Sequence, residues 1–275
     1  MAVVFALLSS VLWGTGDFLG GLTARRLKAM AVVGGAQFAG LVAIAVYAAA
    51  VGAYDDPTGW LLWSMAAGAI GAAGLLAFYT ALAIGTMGVV SPIAGLGAIV
   101  PVVVGLEQGD SLGTWTLLGL ALALGGAVAA SGPELSGAGG VRPVVLAAIA
   151  GVSFGLVFVG IDRGAESSPE MTMVGMRATS VAAFVMIAVA AHSLGGITTR
   201  DTVPLATIGL FDVAANLMFA IATTKGFVSV VSVLGSLYPV VTVLLARAVL
   251  HERLRGVQLV GVTTALAGVA IVAGT

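Results

Sequence analysis

Apolar stretches of the length that crosses a bilayer recur along this chain from end to end, and that repetition limits its fold more than any motif does. A hydrocarbon core about 30 Å thick needs about 20 consecutive apolar residues as helix. In lipid each backbone polar group must be satisfied inside the segment, so such runs become helices. Reading the runs between charge, glycine and proline breaks predicts helices near Ala2–Gly21, Met30–Val51, Trp60–Leu82, Met87–Leu106 and Leu112–Ala130, and then near Val144–Val159, Met171–Ala191, Val203–Thr223, Phe227–Ala246 and Gly256–Ala273. The expected class is an all-α membrane protein of about ten transmembrane helices. Composition agrees, since 60% of the residues are hydrophobic and 8% charged, against roughly 25% charged in a soluble domain.

The first run lacks a basic leader, carries Asp17 within it and is followed by Arg25, Arg26 and Lys28 with no small-residue cleavage site, so it is expected to be a retained helix and not a signal peptide. The absence of cysteine excludes disulfides, thiolate metal sites and cysteine nucleophiles. Forty glycines are about twice the usual ~7% and predict close helix packing. Gly16/Gly20, Gly105/Gly109 and Gly151/Gly155 have GxxxG spacing and are read as packing contacts before dimer contacts.

The two halves can be laid on one another. Leu96-Gly97 and Pro101 fall on Leu234-Gly235 and Pro239 at an offset of 138, while Asp110, Gly119, Ala123, Leu124 and Gly126 fall on Glu252, Gly261, Ala265, Leu266 and Gly268 at an offset of 142. The four-residue difference is about one helical turn. Residues 1–131 and 143–275 are read as two five-helix repeats, with the Gly-, Pro- and Ser-rich segment 132–142 as linker. An odd number of helices per half makes the repeats inverted. Inverted repeats are a recurring plan of secondary transporters, although duplication alone would also produce them.

The stretch Ser229-Val230-Val231-Ser232-Val233-Leu234-Gly235-Ser236-Leu237-Tyr238-Pro239, continuing through His251-Glu252-Arg253-Leu254 and Gln258-Leu259-Val260-Gly261, resembles the drug/metabolite transporter superfamily, in particular its ten-helix EamA-type members. Ser91-Pro92, Pro101, Gly109-Asp110 and Gly119 repeat the pattern in the first half, and Trp13-Gly14 is similar to the Trp-Gly of that family's first helix. The resemblance implies a transporter of small metabolites. Asp110-Ser111 departs from the family's usual Glu-Arg at that loop.

An ionisable side chain at bilayer depth costs a few kcal/mol, so it is a functional candidate by default. Asp212 and Asn216 share one face of the eighth predicted helix at i,i+4. Their carboxylate would hold a cationic group or a proton, or be a structural acid buried against Arg177. By depth Arg177 reaches Asn216 within about a turn, which predicts an ion pair with Asp212 that lowers the burial cost of both; Gln37 holds the corresponding place in the first half. Asp17 either faces the interior or reaches headgroup water. Trp13, Tyr79, Tyr238 and Ser236 are candidates to line a path, each weighed against plain packing, and Pro101 and Pro239 are hinge candidates because each frees a backbone carbonyl. No metal pair, HExxH, GxSxG or phosphate-cradling motif occurs, so no cofactor, metal or enzyme activity is expected.

Loops on the side opposite both ends of the chain carry Arg25, Arg26, Lys28, Arg142, Arg200, Arg247, Arg253 and Arg255, eight cations against Arg163 and Lys225 on the other. Positive charge marks the cytoplasmic side, so both ends are expected outside, against the cytoplasmic ends often drawn for ten-helix relatives. The expected function is a secondary transporter in the cell membrane, exporting amino acids or related metabolites by alternating access. Its partners would be a small-molecule substrate, protons as a candidate coupling ion, and the bilayer, with no nucleic acid, in a monomer or homodimer. A multidrug or organic-cation exporter, a sensor or scaffold, and a membrane enzyme are the alternatives.

Overall fold

The computed structural model describes residues 1–85, 87–130, 141–190, 192, 196–250 and 256–274. Among these residues every regular element is helical. The first half comprises α1 (Ala2–Ala24), α2 (Ala29–Val51), α3 (Leu61–Ile84), α4 (Met87–Gly95), α5 (Ile99–Glu107) and α6 (Thr114–Ala130). The second comprises α7 (Val141–Ala165), α8 (Pro169–Ala190), α9 (Thr202–Thr223), α10 (Val228–Gly235), α11 (Tyr238–Leu250) and α12 (Gly256–Gly274). Six helices are individually long and apolar enough to cross a membrane, and shorter apolar helices complete ten passes, with α4–α5 and α10–α11 each forming one.

Two expectations are corrected. The fourth and ninth passes, expected as single helices, are broken: a 3-10 turn at Leu96–Ala98 separates α4 from α5, and a turn at 236–237 separates α10 from α11. Proline explains both. Pro101 and Pro239 stand at the third and second residues of α5 and α11, where a missing N–H is tolerated, whereas mid-helix each would clash with the preceding turn. Val141 and Arg142, expected in the linker, begin α7, which also runs six residues past the expected end and carries Asp162 and Arg163 into its last turn. The remainder of the linker and the His251–Arg255 loop lie outside the described residues.

Packing between the halves is reciprocal: α1 lies on α9 as α7 lies on α3, α2 lies on α9 as α8 lies on α3, and α6 pairs with α12. Along the α6–α12 seam Gly119 faces the carbonyl of Gly268, and Gly126 faces Gly261 and the Ala265 backbone, so the two helices run antiparallel. A Cβ at Gly119 would stand 3.0 Å from the Gly268 carbonyl oxygen. In lipid, helices gain little from hydrophobic exclusion and associate through close packing, which small residues permit. The GxxxG glycines Gly16, Gly20, Gly151 and Gly155 likewise meet neighbours within the chain.

Asp110 accepts a hydrogen bond from the Ser229 hydroxyl at 2.6 Å and a longer one from the Ser229 backbone N–H at 3.3 Å. It thereby places a carboxylate at the positive N-terminal end of α10, across the boundary between the halves.

Candidate functional site

A cavity of about 60 Å3 lies at mid-depth, walled by Trp13 and Asp17 of α1, Gln37 of α2, Arg177 of α8, Asp212 and Asn216 of α9, and Tyr238 of α11, together with apolar side chains of α3 and α7. Since a water needs roughly 10–15 Å3 measured this way, the space holds a few waters.

Four polar side chains form one network on its wall. Arg177 Nη1 donates to Gln37 Oε1 at 2.7 Å, and Nη2 stands 3.0 Å from Asp212 Oδ2 as an ion pair. Gln37 Nε2 donates to the same Oδ2 at 3.3 Å, and Asn216 Nδ2 donates to Asp212 Oδ1 at 2.9 Å and to its carbonyl at 2.7 Å. The ion pair is near enough for Coulomb attraction but poorly aligned, so among the described residues Arg177 Nε and Nη2, both buried, have no hydrogen-bond acceptor. Asp212 keeps 16% of its side-chain surface open, against 3% for Arg177. The i,i+4 spacing of Asp212 and Asn216 produces the intrahelical contacts. Gln37 and Arg177 touch because α2 and α8 cross antiparallel at residues 140 apart, within the 138–142 offset that relates the halves.

Asp17 faces the cavity, and among the described residues its carboxylate accepts no hydrogen bond and forms no ion pair. Trp13 stacks on Phe158 with ring centroids 5.3 Å apart, and Phe158 stacks on Phe219 at 4.6 Å. By position along α7 and α9, these rings close the cavity toward the side holding both chain ends. Phe78 packs edge-on against Phe154 and Tyr238 at 5.5 and 6.4 Å, toward the opposite side.

Two of the expected path residues lie elsewhere. Tyr79 is buried with its ring against Gly20, and Ser236 is buried in the turn after α10 with no partner for its hydroxyl among the described residues. Neither is among the residues lining the cavity. Phe158 and Phe219 had no signal in sequence, because an inward phenylalanine and a lipid-facing one read alike. Among the described residues no group of three metal-ligating side chains occurs.

A model of the EamA-like transporter family matches residues 141–274. No curated protein matches the chain. Fifteen chains of known structure do; one crystal structure, described only as that of a protein, superposes with a TM-score of 0.78 over 98% of this chain and 95% of that one at 18% identity. At that identity the likeness shows the fold.

Proposed function

We propose that this protein, which belongs through its second half to the EamA-like transporter family and is thus a multi-pass membrane transporter of small molecules, exports a zwitterionic metabolite of the amino-acid class across the cell membrane by alternating access. The observation that carries the reading is the charge arrangement in the cavity. Among the described residues, Arg177 Nε is buried without an acceptor and Nη2 meets Asp212 only as an ion pair, and Asp17 is a carboxylate without a hydrogen-bond or ion-pair partner on the same cavity. A substrate carboxylate would complete the first and its ammonium the second. Each would then exchange an uncompensated buried group for a charge-assisted hydrogen bond.

Asp212 is the switch in this scheme. Arg177 holds it when the site is empty, and a substrate carboxylate competes for the guanidinium, releasing Asp212 to take up a proton or the substrate ammonium. The reciprocal packing and the antiparallel α6–α12 seam support two inverted halves rocking about the cavity. The breaks at 96–98 and 236–237 would be the hinges, and the two aromatic layers would alternate as gates.

An organic cation is the second reading, favoured by one fact: Asp17 and Asp212 against Arg177 leave the cavity with one net negative charge when all three are ionised, beside the Trp13 ring.

Proteoliposome flux of radiolabelled amino acids, sugars, organic cations and phosphorylated compounds, with and without a pH gradient, tests both. Saturable amino-acid flux lost in Asp212→Asn and in Arg177→Gln supports the first. Cation flux that survives Arg177→Gln and fails in Asp17→Asn selects the second. Folded protein that moves no compound sinks both.

A further inference from the structure

Between α2, α8 and α9 the surface opens into a groove of about 810 Å3, distinct from the central cavity. Met30, Phe38, Val185 and Leu210 are among its walls, and Thr202 is the one polar side chain lining it among the described residues. It runs along α2 from Met30 to Ala43, about 20 Å at ~1.5 Å per residue. That exceeds half of a hydrocarbon core about 30 Å thick, so the groove spans one leaflet. Phe38, Val185 and Leu210 are 59%, 54% and 51% exposed, so the groove opens sideways to the surroundings of the bundle.

Charge collects where the groove meets the membrane surface. Arg25 caps the C-terminal end of α1, Lys28 immediately precedes α2, and Arg200 lies in the 3-10 turn that leads into α9; all are exposed, and none forms an ion pair among the described residues. Arg26 Nη1 binds Asp201 Oδ1 at 2.7 Å, which ties these two segments together at the mouth. Asp201 is the one acid among the described residues of this side's loops, and it is buried and engaged by Arg26 and Thr198. The mouth is therefore cationic and the groove below it apolar.

We propose that this groove is a binding site for an anionic phospholipid, with an acyl chain between α2, α8 and α9 and the phosphate at Arg25, Lys28 and Arg200. The apolar walls at hydrocarbon depth call for a chain that restores dispersion contacts. Basic residues beside a membrane helix attract anionic headgroups, each by an amount that compounds across a cluster. The charge excess across the bilayer marks this side as cytoplasmic, the side on which anionic lipid concentrates.

Native mass spectrometry of the purified full chain with phosphatidylglycerol and with phosphatidylcholine of identical acyl chains tests the site. Wild type is expected to retain phosphatidylglycerol about tenfold more strongly. The triple variant Arg25→Gln/Lys28→Gln/Arg200→Gln should retain both lipids alike. Ala39→Trp, which places a ring in the groove, should retain less of either while keeping the wild-type helical circular dichroism. Equal retention by wild type, or a preference that survives both variants, overturns the proposal. Stabilisation by inorganic phosphate alone equal to that by the lipid overturns it too, since the acyl chain would then contribute nothing.

Discussion

Two of the places where corresponding helices of the two halves meet are built on opposite principles. Where α6 crosses α12, glycines let backbone lie against backbone with no charged group and no space. Where α2 crosses α8, the corresponding residues are Gln37 and Arg177, which with Asp212 hold a polar network against a cavity. The first joins the halves by dispersion over a close fit, a contact insensitive to what occupies the centre. The second is stable only while its hydrogen bonds are met, so a ligand able to meet them differently can change the structure. One arrangement of helices thus separates cohesion from response.

Substitutions can break that separation. The largest effect is expected from Arg177→Met, which leaves Asp212 as a largely covered carboxylate without its cation. Removing one partner of a buried pair costs about 3–5 kcal/mol, read as a lowered unfolding midpoint in detergent together with loss of flux. The double variant Arg177→Met/Asp212→Leu should recover most of that stability, since an apolar replacement of a buried pair is often neutral, while flux stays absent. If the double variant is no more stable than the single, the network is a packing element and the comparison fails.

Gly126→Leu should cost about 1–3 kcal/mol by overpacking the seam, while the protein that remains folded transports with unchanged KM. A shifted KM would mean that the seam also takes part in the transport cycle. Its neighbour Gly125 is exposed, with nothing within 4 Å of an added Cβ. Gly125→Ala should leave flux unaltered and stabilise the protein by about 0.5–1 kcal/mol through helix propensity alone, measured as a small rise in the same midpoint.

Much of the fold could be read before the structure. The ten passes follow from the spacing of apolar runs, because a helix satisfies its own backbone and its length is set by the bilayer. The Asp212–Asn216 contact followed from i,i+4 spacing, and the Arg177–Asp212 pair from depth along two helices. Rotation of a helix about its axis was less legible in a chain this apolar. Periodicity separates an inner face from an outer one only where one of them is wet, and in lipid both are apolar. Tyr79 was therefore an equal candidate with Tyr238, and Asp17 was open between headgroup water and the interior. The structure puts Tyr238 and Asp17 on the cavity and Tyr79 against Gly20.

The sequence by itself determined what backbone hydrogen bonding and bilayer thickness dictate: an all-helical chain of ten passes, the offset that relates its halves, and the few charges placed at membrane depth. The tertiary structure decided which of those charges meet. It also decided that the passes holding Pro101 and Pro239 break, and that a lateral groove opens beneath a cationic rim. Those outcomes depend on the angle and closeness at which helices cross. Crossing geometry is set by the fit of many small side chains against one another, a sum over pairs that no single helix carries in its own residues.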